Sequence, residues 1–169
     1  FMLSKTLQNF LEKNKLKAEV IEHRTVYTAF DKSATLKIKP AMVGKTIVIS
    51  FDGKDHAIGL IPANKNLDKK KVMAVFNKLR QKAKEKNYKK IDFAKEQWIK
   101  NNIKGVDLGA APPLGLLYKL TFFIDNSLLK HSKIIVNGGK YETSLKLTPS
   151  VLLKLDPKTI KGGFSMPKK

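Results

Sequence analysis

The sequence predicts an α+β domain, a compact, mixed and mostly antiparallel sheet flanked by helices. Three observations carry that expectation. Some stretches repeat apolar residues at helical spacing, whereas others are short apolar runs bounded by turn formers. The two kinds are mixed without the strict strand–helix alternation of a parallel α/β fold. A length of 169 residues with 42% hydrophobic content suits one domain with a genuine core.

Leu3, Leu7, Phe10 and Leu11 recur at helical spacing around a capping Ser4, predicting a first helix to about Lys15. Ala18–His23 reads as a short strand. Thr28 with Asp31 resembles a capping box, opening a second helix that must stop near Lys39-Pro40. Lys45–Phe51 and His56–Ile61 are apolar strands joined around Asp52-Gly53, a strong hairpin signal. Asn66 or Asp68 caps a third helix whose buried stripe is Val72, Val75, Phe76 and Leu79, followed by a lysine-rich run to Lys90. A further short helix holds Trp98 and Ile99.

Gly109-Ala110-Ala111-Pro112-Pro113-Leu114-Gly115 interrupts this pattern as a rigid loop, since its prolines lack donors and its glycines admit special backbone angles. Leu120–Ile124 and Lys133–Val136 are strands separated by a helical turn at Ser127–Lys130. Asn137-Gly138-Gly139 is expected to turn into another strand at Glu142–Leu147. Thr148-Pro149 opens a last helix to Leu155. The expected division is a single domain over 1–157 and a flexible basic tail over 158–169, because the tail offers charge and turn formers but little to pack.

Charge narrows the function classes. Thirty-four Lys+Arg against 14 Asp+Glu give +20, which favours polyanionic partners, nucleic acid before acidic membrane. Only Arg24 and Arg80 are arginines, so phosphate tracking is favoured over base readout in duplex grooves. No apolar run approaches the roughly 20 residues needed to span a bilayer. The start lacks a signal-peptide pattern, and the absence of cysteine excludes disulfides and thiolate chemistry. A cytoplasmic monomer without metal or organic cofactor is expected.

Standard catalytic templates are absent: no P-loop, no H-E-x-x-H, no G-x-S-x-G. His23, His56 and His131 are scattered, and Lys45 alone reads as a strand-end charge reaching water.

The order of segments changes the weight of these residues. Val20-Ile21-Glu22-His23 is followed by Tyr27-Thr28-Ala29, then by Val43-Gly44-Lys45-Thr46-Ile47-Val48. Next come Ile61-Pro62-Ala63-Asn64 with Leu67-Asp68, and the loop Gly109–Gly115. The series closes with Ile124-Asp125-Asn126-Ser127-Leu128-Leu129-Lys130-His131, Asn137-Gly138-Gly139, Ser144-Leu145 and Leu147-Thr148-Pro149. Together they resemble the YbaK/prolyl-tRNA-synthetase editing-domain family across about Ala18 to Leu155. The chain departs from the family where Pro113-Leu114-Gly115 replaces a common Pro-Phe-Gly, and in a longer, more basic Asn77–Ile91 segment.

The resemblance implies trans-editing hydrolysis of a mischarged aminoacyl-tRNA, with tRNA, such as that for proline, and an aminoacyl-tRNA synthetase as partners. It implies that Lys45 is indispensable and that the loop from Gly109 to Gly115 supplies backbone donors to the reacting ester. It places Tyr27, Thr28, Pro112, Asp125, His131 and Gly138 around the substrate, although Asp125 reads equally as a cap for the following helix. Lys78, Lys82 and Lys86 share one helical face if the third helix extends that far, and are expected to track tRNA phosphates. Two rivals remain: a non-catalytic RNA-binding module that keeps the fold, and an unrelated basic ribosome- or membrane-associated protein.

Overall fold

The computed structural model describes residues 3–168. The chain begins with α1 (Lys5–Lys13), where Ser4 Oγ accepts the Leu7 N–H at 3.2 Å as an N-cap, followed by β1 (Glu19–Glu22). The next helix, α2 (Ala29–Leu36), is capped by Thr28, whose Oγ1 accepts the Asp31 N–H at 3.0 Å. After a 3-10 turn at Pro40–Met42 come the hairpin strands β2 (Gly44–Phe51) and β3 (Asp55–Pro62). Asp52 and Gly53, both at positive φ, turn between them. A short β4 (Lys65–Leu67) leads into α3 (Lys69–Lys82), capped by Asp68. Then follow β5 (Ile91–Phe93), α4 (Glu96–Asn102) and α5 (Gly115–Tyr118). β6 (Thr121–Asp125) runs into a 3-10 turn at Asn126–Lys130. The chain ends with β7 (Ile134–Lys140), β8 (Thr143–Leu147), α6 (Pro149–Leu155), β9 (Ile160–Gly162) and β10 (Ser165–Pro167).

The α+β expectation holds. A five-stranded sheet runs β5-β2-β3-β6-β9, a three-stranded one β1-β8-β7, and β4 pairs with β10. Pairing is antiparallel except at β3–β6 and β6–β9. An isolated parallel bridge, Val43 to Ile135, links the two larger sheets. β6 is buried on both faces, as an inner strand must be. Phe122 and Ile124 join a core with Leu7, Leu11, Ile58, Leu60, Val136, Leu145 and Leu152. Phe123 faces the other way, into a second core with Ile49, Phe51, Phe76 and Phe164 beneath α3.

Four expectations are corrected. The third helix stops at Lys82, and Lys84 turns the chain at φ 59°, so Lys86 leaves the face that carries Lys78 and Lys82. Arg80 Nε holds the returning chain by donating to the Lys86 carbonyl at 2.6 Å. Leu79, expected in the buried stripe, is 44% exposed. Asn137–Gly139 is not the turn: these residues lie within β7, where the register shifts between Asn137 and Lys140 and Gly139 takes φ +93°. That shift is a bulge of the kind glycine permits.

The segment from 158 onward is no frayed tail over its described length. β9 runs parallel to β6, β10 pairs with β4, and Phe164 between them is fully buried. One aromatic side chain in a composition-poor segment outweighs the surrounding charge, because its burial alone is worth roughly 1.5–3 kcal/mol. Among the described residues, no helix is long and apolar enough to cross a membrane.

Candidate active site

The Val43–Ile135 bridge sets the site. Lys45 lies two residues beyond it on β2, and Asn137 two residues beyond it on β7. Because the bridge is parallel and side chains alternate along a strand, Lys45 shares a face with Val43, and Asn137 with Ile135. Lys45 is paired across the hairpin with Ile61 and is half-buried. Burial, and secondly the charge of Lys168, lower its pKa from the ordinary lysine value. Its ammonium has no hydrogen bond or ion pair among the described residues.

Asn137 joins two further elements. Its Oδ1 accepts from Lys32 Nζ at 2.6 Å, and its Nδ2 donates to the Gly109 carbonyl at 3.2 Å. Lys32, on α2, is only 4% exposed, and burial pushes its pKa down to about 8. Tyr27, Thr28, Lys32, Gly109, Ala110 and Asn137, with Lys140 and Tyr141, line a cavity of about 20 Å³. At its mouth the exposed Tyr27 ring packs edge-on against Tyr141, with centroids 4.8 Å apart.

The glycine/proline loop is stitched to this site from below. The Asp107 N–H donates to the Gly139 carbonyl at 2.8 Å, and the Gly139 N–H to the Ala110 carbonyl at 2.9 Å. Asp107 Oδ2 accepts the Tyr141 N–H at 2.8 Å, and Tyr141 Oη donates to the Leu108 carbonyl at 2.7 Å. The Ala110 and Leu114 N–H groups are taken up internally, by the Asp107 and Pro112 carbonyls. Those of Gly109 and Ala111 have no acceptor among the described residues, although Ala111 is only 5% exposed. Gly109 sits at φ +85°, a conformation glycine adopts without strain. A firmly held loop with free donors, tied through Asn137 to the Lys32 ammonium, can receive a carbonyl oxygen or a phosphate.

Residues 23–155 match the family described as "Aminoacyl-tRNA editing domain". The chain belongs to that family. Solved structures agree on the fold of this editing domain. One, described as a "putative trans-editing enzyme for prolyl tRNA synthetase", is similar at TM-score 0.76 and 19% identity, covering 98% of this chain and 99% of the other. Another, a hypothetical protein, gives TM-score 0.78 at 17% identity over 96% of this chain and 100% of the other. A third, from work on grafting epitopes onto scaffold proteins, gives TM-score 0.74 at 18% identity, with 97% of each chain covered. At these identities the likeness concerns the fold. No curated protein matches the chain.

Within the editing domain, the expected site residues divide. Tyr27, Thr28 and Gly109 line the cavity, whereas Lys45 is not among its lining residues and lies on β2 two residues past the bridge. Gly115 starts α5, packed so closely that a Cβ there would lie 2.5 Å from the Leu120 carbonyl oxygen. Its lack of a side chain serves packing, and it lies outside the cavity's lining. Asp125 is 3% exposed and fully engaged, accepting the Phe164 N–H at 2.7 Å on Oδ1 and both the backbone and hydroxyl of Ser127 on Oδ2. The capping reading of Asp125 therefore prevails over a substrate contact. Ser127 is bonded to Asp125, not to His131, which is half-buried ahead of β7. Pro112 and Gly138 are buried beside the cavity's lining residues without being among them. His23 is tied to Ser144 Oγ at 2.8 Å. Sequence reasoning misses Lys32 and Asn137. A lysine amid a short amphipathic helix carries no sign of burial, whereas Asn137 stands in a family motif but reads as a turn residue.

Proposed function

We propose that this editing domain hydrolyses the ester of a mischarged aminoacyl-tRNA in trans, with Lys45 as its essential side chain. The observation that supports the reading is the hydrogen-bonded chain Lys32–Asn137–Gly109, set two residues past a bridge between two sheets whose other strand carries Lys45 two residues on. An activated ester needs little nucleophilic help, so positioned donors supply most of the rate. Water adds to the ester carbonyl carbon, and the loop N–H groups donate hydrogen bonds to the developing oxyanion. The bond to the ribose oxygen then breaks, the proton from water passes to that oxygen, and free amino acid and tRNA leave. Lys45 supplies a compact positive charge to the terminal phosphate or the oxyanion. Direct attack by water is favoured over a Ser127 nucleophile, because Ser127 is hydrogen-bonded to a buried carboxylate that already holds the Phe164 backbone.

tRNA is the partner that suits a net charge of +20. A tRNA for proline, and association with its synthetase, are supported by the similar fold described as a trans-editing enzyme for prolyl tRNA synthetase. Lys78 and Lys82 on α3, with Lys86 on the returning chain, remain candidate phosphate contacts. His131 remains a candidate contact for the terminal nucleotide. The test is a deacylation panel of mischarged tRNAs. Lys45-dependent release of at least one amino acid supports the reading, and release of none refutes it.

A further inference from the structure

The Lys32 ammonium is built into the cavity in an unusual way. It is 4% exposed, its single hydrogen bond goes to a neutral amide, Asn137 Oδ1, and no carboxylate pairs with it among the described residues. An ammonium has three N–H donors, so two are left for whatever enters. A buried donor without a partner costs on the order of 1–3 kcal/mol, and a fold that keeps one at a ligand site gains only when the ligand supplies the acceptor. The cavity is about 20 Å³. That is close to the space one water-sized oxygen needs. Its other lining side chains offer no anion: Tyr27, Thr28, Asn137, Lys140 and Tyr141 are neutral or basic.

We propose that Lys32 determines which amino acid is removed: held by Asn137, its Nζ donates to the side-chain hydroxyl of a small β-hydroxy residue, so that seryl esters are discharged in preference to alanyl esters. This rests on the deacylase reading above. The discrimination follows from the polar site itself. An alanyl methyl entering the cavity leaves the Lys32 donors unmade, and a site built to hydrogen-bond a hydroxyl rejects the analogue without it far more strongly than an apolar pocket rejects a missing methylene. Lys32 loses none of this role when deprotonated, because a neutral amine still donates. Lys45 lies on a different element, β2, and is left to the chemistry common to both esters.

The experiment compares kcat/KM for seryl- and alanyl-tRNA carrying the same tRNA body, with wild type and Lys32→Met. Wild type is expected to favour the seryl ester by about tenfold or more. Lys32→Met is expected to bring the two within about threefold of each other, a collapse of the seryl-to-alanyl ratio that loosened structure alone would not produce, since loosening lowers both rates together. A wild-type preference for alanine, or a serine preference that Lys32→Met leaves intact, overturns the proposal. A second measurement needs no variant: inhibition of wild type by adenosines carrying seryl or alanyl through a stable 3′-amide. Tighter inhibition by the seryl compound is expected, and equal inhibition overturns the proposal. Discharge of other esters with no seryl preference defeats the Lys32 assignment alone, whereas discharge of no ester defeats the deacylase reading and this inference together.

Discussion

Asp125 Oδ1 accepts the backbone N–H of Phe164 at 2.7 Å, which ties the end of β6 to the C-terminal segment. The tie is reinforced where Asp125 pairs with Gly162 in parallel register and where Phe164 packs edge-on against Phe123, with centroids 5.3 Å apart. The C-terminal segment thereby closes the core under α3.

Truncation after Pro157 is therefore expected to destabilise the domain severely, since it removes β9, β10 and a fully buried phenylalanine. Phe164→Ala should cost about 3–5 kcal/mol, and Phe164→Leu distinctly less. Urea denaturation midpoints check both. A truncated protein with unchanged midpoint would mean that the segment is an accessory.

The two loop glycines should separate by phenotype. Gly115→Ala brings a Cβ to 2.5 Å from the Leu120 carbonyl oxygen, so its main effect should be on stability. A Cβ at Gly109 meets nothing, and the strain there comes only from φ +85°. Gly109→Ala should cost roughly 1–2 kcal/mol of local backbone strain, relieved by a shift of the loop, and so fall on deacylation more than on folding. Thermal melts beside kcat/KM for each variant make the comparison, and equal loss of stability would contradict it.

These assignments mark where the sequence was legible. Ser4, Thr28 and Asp68 act as caps because short polar side chains reach only their own helix start. Asp52-Gly53 makes the hairpin for the same reason of locality. The failures are non-local. Lys86 leaves its expected face because Arg80 and Asn77 hold the chain returning from α3. Phe164 finds its place only when β4 and β6 are both present to pair with its flanks. Lys32 is buried because Asn137, on the distant β7, receives it.

Stability should rise with pH between about 8 and 10. Lys32 has its folded pKa lowered to about 8, so above that value the unfolded chain binds the extra proton and folding gains as pH increases. Lys45, also lowered, adds in the same direction. Tyr88 and Tyr118 work oppositely: their pKa values are pushed up to about 12, chiefly by burial, so stability falls between about 10 and 12. Urea midpoints measured across this range should pass through a maximum. Lys32→Met should remove most of the rising limb, and an unchanged rise in that variant would show that Lys32 is not its source.

Neutralising Lys78, Lys82 and Lys86 together should weaken tRNA binding and reduce the slope of log K against log salt by roughly 0.7–0.9 for each phosphate left without its lysine. Because Lys86 is off the helix, its single replacement should act independently of the other two. An unchanged slope in the triple variant would leave this surface merely solvated.

The most direct test is Lys45→Ala assayed on whichever mischarged tRNA the wild type discharges fastest. Lys45 is half-buried at a strand start without a salt bridge among the described residues, so its removal should leave the thermal transition near that of wild type. Deacylation should fall to the uncatalysed background. Lys45→Arg should also be poor, because a planar fork does not replace a compact ammonium in a tight site. Substantial turnover by a folded Lys45→Ala protein would contradict the assignment of Lys45 as the essential group.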